Sequence, residues 1–340
     1  MRDAIADLVP DGSGVVLGCQ LEQMIPFAAG HEIIRQRKRG LTLIGPISDI
    51  LFDQMIGAGC VERVIAAWVG NVMMGSAYNF RRAVEQEGLK VTDMTNFTVA
   101  LALQAAAMGV PFLPTLTAQG SDVARENEFF AEIESPFGED NSGSLDSAVP
   151  SASPRDFGSG LSASLGSASR PLSASTSLGM TQRKGKLHAV KALHPDVAIV
   201  HVQRADQDGN AHCWGNFGVL LEAVRAARKV IVVAEEIVAP EVIASDPNRT
   251  VVPGFLVSAV VEAPLGAHPS PVQGYYKRDH AFFQQYHQET KTKADFEQWA
   301  QRWIYGVRDV EEYAARLGQE RMAGLRVKRH AYAAAADFGY

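Results

Sequence analysis

The sequence has few cysteines and no uninterrupted apolar run long enough to span a membrane. Its three cysteines, Cys19, Cys60 and Cys213, lie far apart and do not have the spacing of metal ligands. We therefore expect no disulfide framework, no bound metal and a cytoplasmic location, where thiols stay reduced. The initial segment Met1–Leu8 is too acidic for a signal peptide.

The sequence also has no excess of basic residues. The formal net charge is -6, which disfavours nonspecific binding to nucleic acids or membrane surfaces because both require clustered positive charge. The basic run Arg35–Arg39 is the local exception, and it closes a predicted helix, where the helix dipole favours cations. We therefore expect neither a nucleic-acid partner nor a membrane partner.

Strands and helices alternate over the first part of the chain. Apolar runs predict strands at Val15–Gly18, Leu41–Gly45 and Val61–Val69. Helical periodicity and capping residues predict helices at Pro26–Arg37, Asp49–Ile56, Phe80–Gln86 and Thr95–Met108. This alternation predicts an α/β fold with a mostly parallel sheet that is covered by helices on both faces.

The same alternation returns in the second half of the chain. Strands are predicted at Asp196–Gln203, Lys229–Ala234 and Phe255–Glu262, with a helix at Leu220–Arg228. Two amphipathic helices, Lys293–Trp303 and Asp309–Leu317, predict a helical C-terminal region over residues 280–325. This region would cap the fold or offer a surface to a partner chain.

A serine-rich stretch separates the two halves. Residues 141–180 consist largely of Ser, Ala and Gly and contain few large apolar side chains, so burial cannot offset the entropy lost on ordering them. We expect a disordered insertion within a single domain of residues 1–340, because the sheet pattern resumes at Leu187. The alternative is a segment that is phosphorylated or binds a partner.

Two glutamates at the end of a predicted strand are the most prominent candidates for a site. Glu235 and Glu236 follow the run Lys229–Ala234, and open α/β sheets bind ligands at the carboxyl ends of their strands. Neighbouring residues of a strand point to opposite faces, so the two glutamates do not form a matched acid/base pair. Either one of them is a nucleophile or base, or they are structural carboxylates.

Other polar residues follow the first and third predicted strands. Gly18 lets the backbone approach a ligand closely, and Cys19 and Gln20 come next in the same turn. Cys19 is either a thiolate at a helix N-terminus or a packed side chain. Asn71 and Ser76 can donate hydrogen bonds to a carbonyl or carboxylate, although ordinary turn chemistry also explains them.

His268 lies beside Pro269 and Ser270, but no aspartate is placed in the sequence to form a recognisable Ser–His–Asp triad. The remaining histidines lack metal-binding spacing. Composition and spacing thus predict a polar cleft along one edge of the sheet, without naming a reaction.

Several segments together resemble a known family. They are Pro26–Gln36, Asp53–Gly59, Ala105–Pro114, His194–Asp206, Asp208–Asn210, Trp214–Gly215, Glu235–Ile237 and Gly266–Ser270. In this colinear set the chain resembles the A (α) subunit of family I CoA-transferases, particularly the glutaconate CoA-transferase A type. The resemblance covers nearly the whole chain outside the serine-rich stretch.

The resemblance implies a CoA-transferase-like fold, an obligate partner called the B subunit, and an active site at the A–B interface. The implied reaction is ping-pong transfer of CoA between an acyl-CoA and a carboxylic acid, dicarboxylic acids included, with the CoA thioester as substrate and no bound cofactor. In this family the nucleophilic glutamate lies on the B subunit, so no catalytic residue is expected here. The residues expected to bind substrate are Gly18, Cys19, Gln20, Asn71, Ser76 and Asn96. Those expected to have interface or structural roles are Glu235, Glu236 and His268.

Two departures from the family pattern leave alternatives open. The glycine-rich turn usually reads Gly-Gly but here reads Gly18-Cys19, and the insertion falls where the family needs few residues. Ring-opening hydrolases on the same A/B scaffold carry a glutamate on their A chain, and Asn96 takes that position here, which argues against hydrolysis. A third interpretation is a non-catalytic acyl-CoA-binding protein, because the fold also occurs in ligand sensors.

Overall fold

The computed structural model describes residues 1–75, 77–136 and 185–327. These residues form two compact units. The first consists of the described parts of Met1–Leu113 and Val190–Tyr340, and the second of those of Pro114–Ala189. The predicted insertion at residues 141–180 lies outside the described residues.

The strands of the described chain are β1 (Gly14–Val16), β2 (Leu41–Ile47), β3 (Val61–Trp68), β4 (Lys90–Asp93), β5 (Phe112–Thr115), β6 (Phe130–Glu134), β7 (Lys186–Lys191), β8 (Val197–Ala205), β9 (Ala211–His212), β10 (Lys229–Ile237), β11 (Thr250–Val252) and β12 (Ala259–Glu262). The α-helices are α1 (Arg2–Leu8), α2 (Phe27–Arg35), α3 (Asp49–Gly57), α4 (Tyr78–Arg82), α5 (Asn96–Ala107), α6 (Asp122–Arg125), α7 (Leu220–Ala226), α8 (Pro240–Ala244), α9 (His280–Glu289), α10 (Lys293–Ala300), α11 (Val310–Leu317) and α12 (Gln319–Leu325).

Seven parallel strands form the central sheet of the first unit, in the order β12–β10–β8–β1–β2–β3–β4. Strand β9 pairs antiparallel with β8, and β11 with β9. β8 and β10 pair from Val197–Lys229 to Ala205–Ile237 and are buried along most of their length. Their apolar, β-branched sequences are typical of strands covered on both faces. The predicted α/β fold, with helices flanking a mostly parallel sheet, is confirmed.

The N-terminus of α5 has the capping geometry that its sequence predicts. The Thr95 hydroxyl accepts the amide of Thr98 at 3.1 Å, and the Thr98 hydroxyl accepts the amide of Thr95 at 2.9 Å. This reciprocal pair satisfies two amides that have no partner inside the helix. Because β4 ends at Asp93, the cap places the start of α5 at the carboxyl edge of the sheet.

Helices α9 to α12 form the predicted helical C-terminal region. Aromatic side chains meet edge-to-face inside it, with ring centres 5.1 Å apart for Phe282 and Trp303 and 5.7 Å apart for Trp303 and Tyr313. These separations are in the favourable range for aromatic pairs. Helix α9 was not among the predicted elements, because its sequence mixes polar and aromatic residues without a clear apolar stripe.

The predicted strand Phe255–Glu262 is wrong in its first half. Gly254–Leu256 is a 3-10 turn, and β12 begins only at Ala259. The Gly254 amide donates to Asn210 Oδ1 at 2.9 Å and the Leu256 amide to the Pro253 carbonyl at 3.0 Å. Both amides are therefore occupied by turn contacts and cannot join a strand ladder.

The second unit contains α6 and a three-stranded sheet in the order β5–β7–β6. Neither was predicted, because every position of β5 and β6 is exposed or half-buried and neither strand contains a continuous apolar run. Across the described residues, none of the helices combines the length and apolarity needed to cross a membrane.

Candidate functional site

The loops that follow β1, β2 and β3 lie at the same edge of the sheet, because these strands are parallel neighbours. The carboxyl ends of strands are the usual ligand-binding edge of such sheets. Gly18, Cys19 and Gln20 follow β1, and Asn71 follows β3. The structure thus brings these four predicted residues to one edge, whereas Ser76 lies outside the described residues.

Gly18 adopts a conformation that favours glycine. Its φ is 64°, in the left-handed region where a side chain is strained. A Cβ atom at this position would lie 2.8 Å from the Ile47 carbonyl oxygen and 2.9 Å from Ser48 Cβ, and closer still to the Ser48 hydroxyl. The Ser48 hydroxyl donates to the Leu17 carbonyl at 3.0 Å, so the two loops pack directly against each other.

The thiol of Cys19 is buried. The residue is 1% exposed, and burial raises the pKa of the thiol to about 12. A nucleophilic cysteine needs a lowered pKa and access to solvent. Of the two alternatives for Cys19, the packed side chain is therefore the one that the structure favours.

Gln20 anchors the same turn to the sheet. Its side chain is fully buried, and its Nε2 donates to the His201 carbonyl at 3.2 Å and lies 3.2 Å from Cys213 Sγ. The Cys19 carbonyl accepts the amide of Val219 at 2.7 Å. Hydrogen bonds to β8 and to the segment that leads into α7 thus hold the Gly18–Gln20 turn in place.

Asn71 shapes the loop after β3. It is 1% exposed, and its Nδ2 donates to the Phe283 carbonyl at 2.9 Å. Its Oδ1 accepts the amides of Met73 and Met74 at 3.1 and 3.2 Å. Asn71 therefore fixes the loop that presents the two methionines, which are 36% and 38% exposed.

Asn96 stands apart from this buried network. It is exposed in the first turn of α5, directly after the Thr95 cap. The neighbouring Phe97 is 52% exposed. The predicted substrate-binding residues therefore divide into a buried set, which shapes the loops, and one exposed residue at a helix start.

An ion pair that the sequence did not reveal joins these loops. Asp49 follows β2, is fully buried and contacts Arg278. Its Oδ1 accepts the amide of Val72 at 3.1 Å, which ties the loop after β3 to the loop after β2. Burial raises the pKa of the Asp49 carboxyl to about 6, although the nearby Arg278 lowers it. No sequence signal links these residues, because they are more than 200 positions apart.

Glu235 lies in a buried polar network. Its Oε1 accepts a hydrogen bond from the Tyr276 hydroxyl at 2.6 Å and lies 2.8 Å from His201 Nε2. Its Oε2 accepts the amide of Leu265 at 2.9 Å. Its neighbour Glu236 faces the other way, 3.4 Å from the guanidinium of Arg204. Glu235 thus holds the Leu265 loop against β8 and β10.

His268 has the carboxylate partner that the sequence did not show. Its Nε2 lies 3.0 Å from Asp279 Oδ2, and its Nδ1 lies 2.8 Å from the hydroxyl of Tyr313. Burial lowers the pKa of His268, and the hydrogen bond and charge of Asp279 offset this only in part. Ser270, by contrast, donates to the Glu22 carbonyl at 2.9 Å, so its hydroxyl hydrogen is engaged by the backbone.

A large cavity lies elsewhere. It has a volume of about 930 Å³ and is lined by α1, α2, α11 and the segment Glu262–Leu265. None of the predicted site residues that the structure describes lines it.

Within the described ranges, no cluster of three or more His, Cys, Asp or Glu residues is placed to hold a metal ion.

The sequence and the fold have clear counterparts among known proteins. The Coenzyme A transferase family model matches residues 1–263, so the chain belongs to the Coenzyme A transferase family. It is 32% identical to the A subunit of 3-oxoadipate CoA-transferase from Pseudomonas knackmussii over 323 residues, which cover 94% of this chain and 97% of the relative.

A second relative has a solved structure. The chain is 32% identical to the A subunit of glutaconate CoA-transferase from Acidaminococcus fermentans over 328 residues, covering 96% of this chain and 93% of the relative. The crystal structure of glutaconate CoA-transferase from that organism matches with a TM-score of 0.80 at 30% identity, covering 97% of this chain and 96% of the other. The resemblance inferred from sequence segments, and the expectation of a CoA-transferase chain, are confirmed.

Proposed function

We propose that this chain is the A subunit of a heteromeric enzyme that transfers CoA from an acyl-CoA to a carboxylic acid, with a B subunit supplying the nucleophilic glutamate. The burial and pairing of two carboxylates near the sheet edge support this most directly. Asp49 is buried against Arg278, and Glu235 is buried among His201, Tyr276 and the Leu265 amide. Held in this way, neither Asp49 nor Glu235 is accessible or free to attack a thioester, which supports a nucleophile on another chain.

Exposed apolar side chains beside the same loops support a partner chain. Trp68, Met73 and Met74 are each 36–38% exposed at the end of β3, and Phe97 is 52% exposed at the start of α5. Large apolar groups that cluster beside a site are typical of a surface covered by another protein. A B subunit on this edge would bury them and bring its glutamate to the Gly18 turn.

The proposed chemistry proceeds by covalent catalysis. The glutamate carboxylate attacks the thioester carbonyl and expels CoA as its thiolate, which leaves a mixed anhydride. The thiolate then attacks the glutamyl carbonyl, releasing the first acid and leaving an enzyme–CoA thioester. The carboxylate of an acceptor acid then attacks the enzyme–CoA thioester, and the two steps run in reverse. The acid departs as the new acyl-CoA, and the glutamate is restored. Both attacks create an oxyanion, and we assign its stabilisation to backbone amides of the rigid Gly18 turn.

The named substrates of the two relatives narrow the expected acid. Both 3-oxoadipate and glutaconate are dicarboxylic acids, so we propose that the acceptor belongs to this class.

The test compares this chain by itself, the isolated B subunit, and the assembled pair. We expect transfer from acetyl-CoA to glutaconate or 3-oxoadipate only with the assembled pair. Incubation with acyl-CoA and no acceptor should add CoA to the B subunit, which its intact mass would reveal. A B subunit whose nucleophilic glutamate is replaced by glutamine is the matched control. Turnover by this chain without its partner, or CoA attached to this chain, would refute the proposal; CoA release without any acceptor acid would favour a hydrolase.

Replacement of Glu235 by glutamine is expected to weaken the fold without removing the chemistry. The new amide offers one acceptor oxygen where the carboxylate receives contacts at both, and a lost hydrogen bond to a charged group costs about 1.5–3 kcal/mol. The assembled Glu235→Gln complex should unfold at lower urea concentration yet still form the enzyme–CoA thioester. Glu236→Gln, at a half-buried pair, is the control. Loss of the thioester from an intact Glu235→Gln complex would instead make Glu235 catalytic.

A further inference from the structure

Arg278 occupies the centre of the loop edge described above. Its side chain is 12% exposed. Its Nη2 contacts Asp49, and its Nη1 donates to Glu22 Oε2 at 3.1 Å. Its guanidinium carbon lies 4.5 Å from the centre of the Phe283 ring, which holds the planar group in one orientation. Arg278 therefore lies between two carboxylates, one from the loop after β1 and one from the loop after β2.

The two carboxylates differ in how firmly they are held. Asp49 is fully buried, has a φ of 46° and is fixed by the amide of Val72. Glu22 has a side chain that is 47% exposed, and an ion pair open to water on one side contributes little. Asp49 is therefore the firmly held partner of the arginine, whereas another anion from solvent could replace Glu22.

One N–H of the guanidinium has no acceptor among the described residues. This group is the Nε–H, and its nitrogen is buried. Buried polar atoms are normally paired, and each exception calls for an explanation. Nε lies on the same edge of the guanidinium as Nη2, which contacts Asp49, so a carboxylate that arrives at the Glu22 side would accept from Nη1 in a charge-assisted hydrogen bond.

The surroundings suit a short carbon chain. Met73 and Met74 are partly exposed in the loop that Asp49 and Asn71 fix, and thioether side chains adapt to apolar ligands. Glu22 lies two residues beyond Gln20, so the Arg278 site adjoins the turn assigned to the reacting carbonyl. The methionine loop is tied through the Val72 amide to Asp49, the partner of Arg278, and an apolar loop joined to a fixed cation in this way matches an acyl chain that ends in a second carboxylate.

We propose that Arg278 binds the distal carboxylate of a dicarboxylic substrate and that Glu22 occupies this position when substrate is absent. This assignment rests on the proposed CoA transfer. On binding, the substrate carboxylate displaces Glu22, which turns into solvent, while Asp49 keeps the guanidinium in place. A monocarboxylic acid has no second carboxylate to displace Glu22, so its binding gains no free energy from Arg278. Arg278 is thus a specificity-determining residue for the acid that enters.

The test uses the assembled A/B enzyme and two acceptors that differ in one group. Glutaconate carries a distal carboxylate, and trans-2-pentenoate carries a methyl group in its place. Arg278→Gln should lower kcat/KM for glutaconate by about 10- to 100-fold, the size of a charge-assisted hydrogen bond of about 1.5–3 kcal/mol. For trans-2-pentenoate the change should stay below about threefold. Arg302→Gln, which removes an exposed arginine paired with Glu289 beside Trp303, is the control and should leave both acids unaffected.

A second variant keeps the proposal falsifiable if Arg278→Gln fails to assemble. Glu22→Gln removes the competing charge, so the KM for glutaconate should fall severalfold while that for trans-2-pentenoate is unchanged. Equal effects of either variant on both acids would overturn the assignment while leaving CoA transfer intact. If the wild-type enzyme transfers CoA to neither acid and forms no enzyme–CoA thioester, the proposed function itself fails.

Discussion

Replacement of Gly18 by alanine is expected to lower CoA transfer by the assembled enzyme about 100-fold, because a displacement of about 1 Å at a reacting centre costs that much. The φ of 64° is unfavourable for alanine, and the added methyl group would collide with Ile47 and Ser48 in the adjacent loop. The turn must move to accept it, and its amides then no longer face the developing oxyanion. The measurement is kcat/KM with glutaconate, on protein whose assembly has been checked by size-exclusion chromatography.

Gly12→Ala separates the two causes of this effect. Gly12 has a φ of 80°, but nothing lies within 4 Å of the position its Cβ would take. It should therefore show only the cost of a left-handed alanine, roughly 1–2 kcal/mol of stability, with kcat/KM unchanged. If Gly18→Ala behaves like Gly12→Ala, the close packing of the turn on Ser48 has no role in the reaction.

Removal of the Asp279 carboxylate is expected to cause the largest loss of stability, about 3–5 kcal/mol for breaking a buried ion pair. Arg321 binds Asp279 through both oxygens, with Nε–Oδ2 and Nη2–Oδ1 distances of 2.5 and 2.9 Å. His268 contacts the same carboxylate, which also accepts the amide of Phe282 at the start of α9. Asp279→Ala should therefore lower the midpoint of urea unfolding of the assembled enzyme and loosen α12.

Asp309→Ala is the matched control for this substitution. Asp309 also caps a helix, accepting the amide of Glu312 at 2.9 Å, but it is exposed. Its loss should cost about 1 kcal/mol, the usual value for an N-cap. Equal losses in the two variants would show that the ion pair with Arg321 contributes nothing beyond the cap.

The pH dependence of the same variant provides a second check. Burial alone would raise the pKa of Asp279, but hydrogen bonds from His268 and Arg321 outweigh it and hold the pKa well below the ordinary value of 3.8. A carboxyl group with a lowered pKa stabilises the fold above its unfolded pKa and loses that contribution as the pH falls. The stabilities of wild type and Asp279→Ala should therefore converge as the pH falls below about 4.

The alternating apolar runs were sufficient to predict the main sheet. β2, β3, β8 and β10 each contain a buried apolar run, and their predicted positions are close to the observed ones. The turns of Gly254–Leu256 and the strands of the second unit were not predictable in the same way. Their conformations depend on contacts with residues distant in sequence, such as that between Gly254 and Asn210.

The sequence by itself determined the fold class, the family resemblance and the strand ends at which Gly18 and Asn71 lie, because each depends on local patterns or on colinear segments. Only the tertiary structure decided what the polar residues do. It paired Glu235 with His201, His268 with Asp279, and Asp49 with Arg278. The physical reason is that burying a charge is costly unless a partner neutralises it. The fold supplies such partners across long sequence separations that no local pattern records.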